Sequence, residues 1–175
     1  PFCCAHILDD KEQQSRCIDA MKAFNAPHSV MLLEIDAVNM YDTAAENMGK
    51  VFISTELGGG GSTSAYTVEI AKKGIRNLLR HAGICQGDLE VSETLNLDMP
   101  DHRCYIFSET TGLVEHCVDL GDAVKEGQLV AKVHNIERTG EAPVEYFAGV
   151  DGIYTGRHYP GLVVNGDFLG VVAVP

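Results

Sequence analysis

The chain has 175 residues, 45% of them apolar and 22% charged, with a formal net charge of −12 and a pI near 4.8. So acidic a surface excludes nucleic acid and anionic membrane faces as partners, and no apolar run nears the ~20 residues that span a bilayer. The length suffices to bury one sizeable core or two small ones.

Phe2 to Leu8 is an apolar run that predicts a strand, and one entered mid-sequence, as in a piece of a longer protein. Asp9 or Asp10 then caps a helix over Lys11 to Phe24, with Cys17, Ile18, Met21 and Phe24 at helical spacing. Asn25-Ala-Pro27 stops it. Val30 to Ile35 predicts a second strand and Lys50 to Glu56 a third. The polar insert between them, Asp36 to Gly49, has room for a short helix at Thr43 to Met48. A longer helix runs from Ser62 or Thr63 to His81. In it Val68, Ile70, Ala71, Ile75, Leu78 and Leu79 form an apolar stripe, and Lys72, Lys73 and Arg76 face water. Strands alternating with helices imply a mainly parallel sheet with helices on its faces.

The pattern changes near Asp98-Met-Pro-Asp101, which divides the chain into residues 1–97 and 98–175. Beyond it come short strands and turns with an internal repeat. Gly112-Leu-Val, Gly121 and Gly127-Gln-Leu-Val recur 40 or 39 residues later as Gly152-Ile-Tyr, Gly161 and Gly166-Asp-Phe-Leu. Two copies of strand, turn, hairpin and strand predict two interlocked halves of a small barrel. The stretch Gly112 to Val133 resembles the lipoyl/biotinyl barrel-sandwich module. A carrier of that type needs a Lys at the hairpin between its halves. Glu137-Arg-Thr-Gly-Glu-Ala-Pro143 has none, so the module reads as a wall or lid.

Six cysteines (Cys3, Cys4, Cys17, Cys85, Cys104 and Cys117) include no Cys-x-x-Cys pair, and several lie in apolar runs. That pattern fits a reducing cytoplasm and opposes both a disulfide framework and a thiolate zinc site.

The most informative stretch is Val51-Phe-Ile-Ser-Thr-Glu-Leu-Gly-Gly-Gly-Gly-Ser-Thr63. An apolar run ends in one acid, Glu56, and four glycines follow before the helix. A carboxylate at the C-terminal end of a buried strand, with backbone free to approach a ligand, is how open α/β sheets present a catalytic group. The plainer alternative is a strand-end acid and a flexible turn. No Gly-Lys-Ser/Thr follows the glycines, so they are no phosphate loop, and they lack the spacing of a dinucleotide fingerprint.

Ser-Thr-Glu-Leu-Gly-Gly, with the helix after it and the repeated β-module beyond, resembles the zinc-dependent succinylglutamate desuccinylase/aspartoacylase family. The wording from Met31 to Gly61 resembles most its ectoine-degrading deacetylase branch. The resemblance implies a three-layer α/β domain of zinc-carboxypeptidase type, here in part, followed by a β-domain of barrel-sandwich type. It implies an amidohydrolase acting on a small N-acyl amino acid, with Glu56 as general base and acid and Gly58 and Gly59 passing close to substrate. Arg157 or Tyr159 would hold a carboxylate or the oxyanion, and Asp36 and Tyr41 a cationic amine. A homo-oligomer is compatible with this reading.

The family binds zinc through a His-x-x-Glu pair and a later His in Asp-Leu-His. This sequence holds no Asp-Leu-His, and His134-Asn-Ile-Glu137 comes after Glu56, in the β-module, where a surface pair is the expectation. His6 reads as a core or strand-end residue. The ligands are therefore expected upstream of Pro1. Two other readings stay open: a binding or assembly module in which Glu56 is structural, and a lipoyl-like carrier, which the missing Lys opposes.

Overall fold

A computed structural model describes residues 1–33 and 40–175. The chain forms two compact units, Pro1–Asp98 and Met99–Pro175. No helix among the described residues is long and apolar enough to cross a membrane.

In the first unit the elements are β1 (Phe2–His6), α1 (Lys11–Phe24), β2 (His28–Leu32), α2 (Tyr41–Asn47), β3 (Ser54–Glu56), α3 (Ala65–His81) and β4 (Leu95–Asp98). The sheet order is β3-β1-β2-β4. β1, β2 and β4 are parallel, and β3 runs antiparallel to β1. The sheet is mainly parallel, as expected, with β3 its antiparallel strand.

Local chemistry sets α1. The Asp10 carboxylate accepts from the Glu12 and Gln13 amides at 3.0 and 3.1 Å. Asn25 ends the helix in the left-handed region at φ 57°, its N–H donating to the Met21 carbonyl. Asn does more here than Gly would, since its amide also binds the Ser92 backbone on both sides and accepts from Lys73.

Cys3, Ala5, Cys17, Met21, Phe24, Ala26 and Ile70 form the core under α1 and α3. The α3 stripe differs from expectation. Its buried positions are Ile70, Gly74 and Asn77, whereas Val68 and Ile75 are exposed. The Phe24 ring occupies the place of a Gly74 side chain, so the two helices approach at that point. Asn77 is held by the Glu90 backbone, donating to its carbonyl and accepting from its N–H. Periodicity alone scores neither residue as core. The helix begins at Ala65, two or three residues later than expected. Ser64 caps it, its hydroxyl accepting from the Thr67 N–H while Thr67 Oγ1 accepts from the Ser64 N–H.

Strand ends also differ. β1 stops at His6, β2 at Leu32, and only Ser54–Glu56 of the expected third strand is paired. The four-residue β4 was not expected, since Leu97 alone in it is buried.

The second unit contains β5 (Tyr105–Phe107), β6 (Gly112–His116), β7 (Ala123–Val124), β8 (Leu129–His134), β9 (Val144–Phe147), β10 (Gly152–Arg157), β11 (Leu162–Val163) and β12 (Phe168–Ala173). All its pairings are antiparallel, in sheets ordered β5-β12-β10-β7 and β11-β6-β8-β9. Exchanging β5 with β9, β6 with β10, β7 with β11 and β8 with β12 turns one order into the reverse of the other. Each sheet draws two strands from each half of the repeat, so the halves interlock. No ladder joins the two sheets among the described residues, so the small barrel expected from the repeat is not closed.

The exchange extends to single bonds. Gly127 N–H donates to Ala148 O at 2.8 Å, and Gly166 N–H to Ser108 O at 2.7 Å. Both glycines are left-handed, at φ 79° and 92°. Val124, Val130 and Val133 are buried in one half, and Val163, Leu169 and Val172 in the other, each pair 39 residues apart.

Cysteine burial yields a prediction. Cys3, Cys4, Cys17 and Cys104 are buried, and Cys85 and Cys117 exposed. Burial pushes the Cys3 thiol up to about 12, and it also raises Cys117, with the Glu115 charge adding. Only thiolate alkylates readily. Native protein treated with iodoacetamide near neutral pH should therefore react first at Cys85, more slowly at Cys117, and at the other four only on unfolding. Peptide mass spectrometry reads this out. Modification of Cys3 or Cys17 in folded protein at the Cys85 rate would contradict the burial.

Candidate functional site

Glu56 closes β3 opposite Phe2, while Thr55 faces Cys3 and Ser54 faces Cys4. Its carboxylate is exposed and has no ion-pair partner among the described residues. Two features of its setting differ from the sequence reading. β3 is half-buried rather than buried. Because it runs antiparallel, Glu56 lies at the end where β1 begins, not at the carboxyl ends of the parallel strands.

A titratable neighbour on β1 is Cys4, whose thiol shares a hydrogen bond with Ser54 Oγ at 2.9 Å. Burial raises the Cys4 pKa; the Ser54 hydrogen bond opposes this and the Glu56 charge adds to it. That thiol stays protonated at neutral pH and is a poor nucleophile or metal ligand.

The glycine run turns the chain from strand to helix. Ser62 N–H donates to Gly59 O at 3.3 Å, and Gly60 and Gly61 between them both have positive φ, 62° and 66°. This is the backbone of a type I′ turn, which demands left-handed conformation at both central positions. Gly58 has the Ser62 carbonyl near where a Cβ would stand, and Gly59 has open space. Gly58 and Gly59, with Leu57, Thr67, Val68 and Ala71, line an open pocket of about 390 Å³ immediately after Glu56 in the chain.

The other residues singled out in the sequence lie elsewhere. Tyr41 is exposed on α2, edge-on to Phe52 at 5.5 Å, and Phe52 stacks on His6 at 6.4 Å. That group sits at the His6 end of β1, roughly 13 Å along the strand from its Phe2 end at ~3.3 Å per residue. Asp36 lies outside the described residues. Arg157 and Tyr159 belong to the second unit. Arg157 Nη1 reaches Asp119 Oδ1 at 3.4 Å, and Tyr159 is exposed.

His134 pairs across strands with Glu115 at 2.6 Å, while the Glu137 N–H donates to Asn135. The His134/Glu137 spacing is therefore not a ligand pair. One buried polar pair had no sequence signal: His6 Nδ1 meets Glu46 Oε1 at 2.9 Å, and Gln13 holds α2 by donating to the Glu46 and Lys50 carbonyls. The partners stand 40 residues apart, beyond any local pattern.

No three His, Cys, Asp or Glu among the described residues are placed to hold a metal ion. One exposed carboxylate beside a protonated thiol does not make a zinc site. The local arrangement offers an unpaired carboxylate as proton acceptor, a glycine turn that brings backbone to an open pocket, and a pocket wall of mixed apolar and hydroxyl character.

Comparison with known proteins gives a consistent picture. Residues 1–82 match the family model described as the succinylglutamate desuccinylase/aspartoacylase catalytic domain. The chain is 47% identical over 175 residues to an N-alpha-acetyl-L-2,4-diaminobutyric acid deacetylase of Halomonas elongata, covering 99% of this chain and 51% of that protein. The product-bound structure of the ectoine utilization protein EutE (DoeB) from Ruegeria pomeroyi superposes with a TM-score of 0.94 at 56% identity, covering 99% of this chain and 53% of that one. A succinylglutamate desuccinylase/aspartoacylase structure from Rhodobacter sphaeroides gives 0.87 at 31% identity, covering 98% and 53%. The chain thus spans about half the length of these relatives.

Proposed function

We propose, from the premise that the chain belongs to the succinylglutamate desuccinylase/aspartoacylase family, that it forms part of a deacylase cleaving the amide of a small N-acyl amino acid. N-acetyl-2,4-diaminobutyrate is the substrate proposed, because a deacetylase of that compound is 47% identical along the chain. The observation that carries the chemistry is Glu56 itself. It is an exposed carboxylate with no ion pair among the described residues, followed in the chain by a glycine turn whose residues line an open pocket, inside the segment that matches a catalytic domain.

Amide hydrolysis needs a base to take a proton from the attacking water and an acid to give one to the departing amine. One carboxylate serves both when it carries the proton between them. Glu56 is assigned that role, and Gly58 and Gly59 the close passage of backbone to substrate.

The zinc of this family fits no cluster among the described residues. Its ligands are proposed to lie in the half of the relatives' length that this chain does not span. The β1 register favours this: residues ahead of Phe2 in a longer protein would enter the sheet beside Glu56. The cytoplasm is the proposed compartment, in keeping with six cysteines and no disulfide among the described residues.

The second unit is proposed to be of barrel-sandwich type, on the strength of its strand exchange. The segment joining its halves has no lysine, so it serves as a wall rather than a carrier arm. An intact mass above that of the unmodified polypeptide would contradict this.

A direct experiment follows for the metal. The purified 175-residue chain should bind no stoichiometric zinc by elemental analysis and release no amine from N-acetyl-2,4-diaminobutyrate. A longer protein containing it should do both. Zinc held by the short chain at one ion per molecule, or turnover by it, would overturn the placement of the ligands. A longer protein that binds zinc yet cleaves no N-acyl amino acid would overturn the deacylase reading.

A further inference from the structure

The second unit carries a reactive backbone position that its fold holds shut. Asn165-Gly166 forms the corner between β11 and β12, and it is the one Asn-Gly pair in the sequence. Asn165 is exposed, and the glycine after it has no side chain to shield its amide nitrogen. In an unrestrained chain that nitrogen, once it has lost its proton, attacks the Asn carboxamide carbon. A C–N bond closes a cyclic imide, and the carboxamide nitrogen departs as ammonia. Water then opens the ring at either carbonyl. The product is aspartate, or an isoaspartate whose main chain runs through the former side chain.

The native corner opposes this chemistry. Gly166 N–H, the proton that must leave, donates to Ser108 O at 2.7 Å. Asp167 N–H donates to Val164 O at 3.0 Å, closing a tight turn, and Asp167 Oδ2 accepts from Val164 N–H at 2.8 Å across it. Gly166 has φ 92°, and positive φ at the third residue is what a type II turn requires. The equivalent corner of the other half, Lys125-Glu126-Gly127-Gln128, makes the same set of bonds. Gly127 N–H donates to Ala148 O and Gln128 N–H to Lys125 O, while Gln128 Oε1 accepts from Lys125 N–H. Glu126 stands there in place of Asn165, so the geometry of the corner does not require asparagine. Asp151-Gly152 is the nearest chemical relative of the pair. Its carboxylate accepts from Lys125 Nζ and the Glu126 N–H at 2.8 Å each, which holds it below the usual carboxylate range. A carboxylate kept ionised is a poor electrophile.

We propose that Asn165 is a latent deamidation site, controlled by local opening of the β11–β12 corner away from Ser108. While Gly166 is bound to Ser108 the asparagine stays intact, and each opening exposes it to conversion. The consequence is directional. Isoaspartate adds a methylene to the main chain between Asn165 and Gly166, so the corner cannot keep both the Gly166–Ser108 and the Asp167–Val164 bonds. A chain that reacts while open is therefore withdrawn from refolding, and its stability becomes a matter of rate. Two halves that match in packing thus differ in ageing, because one of them carries the asparagine.

The test incubates the chain at mildly alkaline pH, folded in buffer and unfolded in guanidinium chloride. Peptide mass spectrometry follows Asn165, and enzymatic methylation reads isoaspartate separately. Conversion should be at least about tenfold slower in the folded chain, because it must wait for an opening. Asp167→Ala removes the Val164 contact without touching the reacting pair. It should speed conversion in the folded chain at least about threefold and leave the unfolded rate unchanged. Asn165→Glu copies the other half of the repeat. It should abolish the conversion, keep the denaturation midpoint, and refold in full after a long hold in denaturant. The unaltered chain should lose refolding yield in step with its isoaspartate content.

Equal rates in the folded and unfolded chain would overturn the proposal, as would no conversion in either. A chain rich in isoaspartate at this corner that still refolds in full would overturn its consequence. Where Asp167→Ala does not fold, amide hydrogen exchange at Gly166 of the unaltered chain decides. Exchange as fast as in denaturant means that Ser108 does not hold that proton, and the proposal fails; a protected amide supports it.

Discussion

Glu56→Gln in a longer protein containing this chain should lower kcat by about 10²–10⁴-fold, the range for a positioned general acid or base. The loss belongs near the top of that range, because one group serves both proton transfers. Gln nearly preserves the shape of Glu and removes its capacity to accept a proton. Glu56 is exposed at a strand end and unpaired among the described residues, so no buried partner is orphaned by the change. Melting temperature and zinc content should therefore match wild type. The comparison that matters is kcat against KM: a residue acting on the proton in flight changes kcat, whereas one that only shapes the glycine turn changes KM or stability. A kcat within about threefold of wild type, well inside the range expected of such a group, would make Glu56 structural. The assembly-module reading would then move ahead.

What the sequence made legible follows from how local each signal is. Asp10 and Asn25 sit at the two ends of α1 and act on amides within a turn, so the helix limits could be read directly. The 39- and 40-residue spacing of the glycines survived into three dimensions because turns and short strands are locally encoded. The interlocking of the two halves was read from that repeat, but which strands pair was not, since it depends on which ladders close. The direction of β3 was equally hidden. Its residues give period and burial but nothing about polarity relative to β1, and that polarity moved Glu56 to the opposite end of the sheet from the one expected. α3 misled because it is apolar on two sides. The side that packs is chosen by Phe24 filling the Gly74 gap and by Asn77 holding Glu90, contacts with partners 50 and 13 residues away. Of the candidate site, the contiguous piece from Glu56 to Thr63 was visible. Tyr41, Arg157 and Tyr159 could only be named by analogy, because their positions depend on long-range packing.

Gly112→Ala and Gly152→Ala should each destabilise the second unit by about 1–3 kcal/mol, the cost of forcing a methyl into filled space. The two should agree within about 1 kcal/mol of each other, well inside that spread. They are equivalent positions of the repeat, at the starts of β6 and β10. A Cβ on Gly112 would run into the His134 carbonyl at the end of β8. One on Gly152 would run into the Ala173 carbonyl at the end of β12, the equivalent place in the other sheet. Neither glycine has positive φ, so backbone strain is not the cause. The obstacle in each case is a backbone oxygen, which cannot swing aside as a side chain can, so relief requires the strands to part. Against a total of ~5–15 kcal/mol for a domain, a double variant losing twice the single cost would leave little margin at physiological temperature. Gly156→Ala is the control, because on the same β10 its Cβ would meet Phe168 at 3.4 Å, an ordinary contact. Urea denaturation followed by far-ultraviolet circular dichroism reads all four proteins. If Gly112→Ala or Gly152→Ala unfolds at the Gly156→Ala midpoint, the close approach of the strands is not what fixes these glycines. If one is costly and the other neutral, the two halves of the unit are not equivalent in packing, and the exchange of strands is one of topology alone.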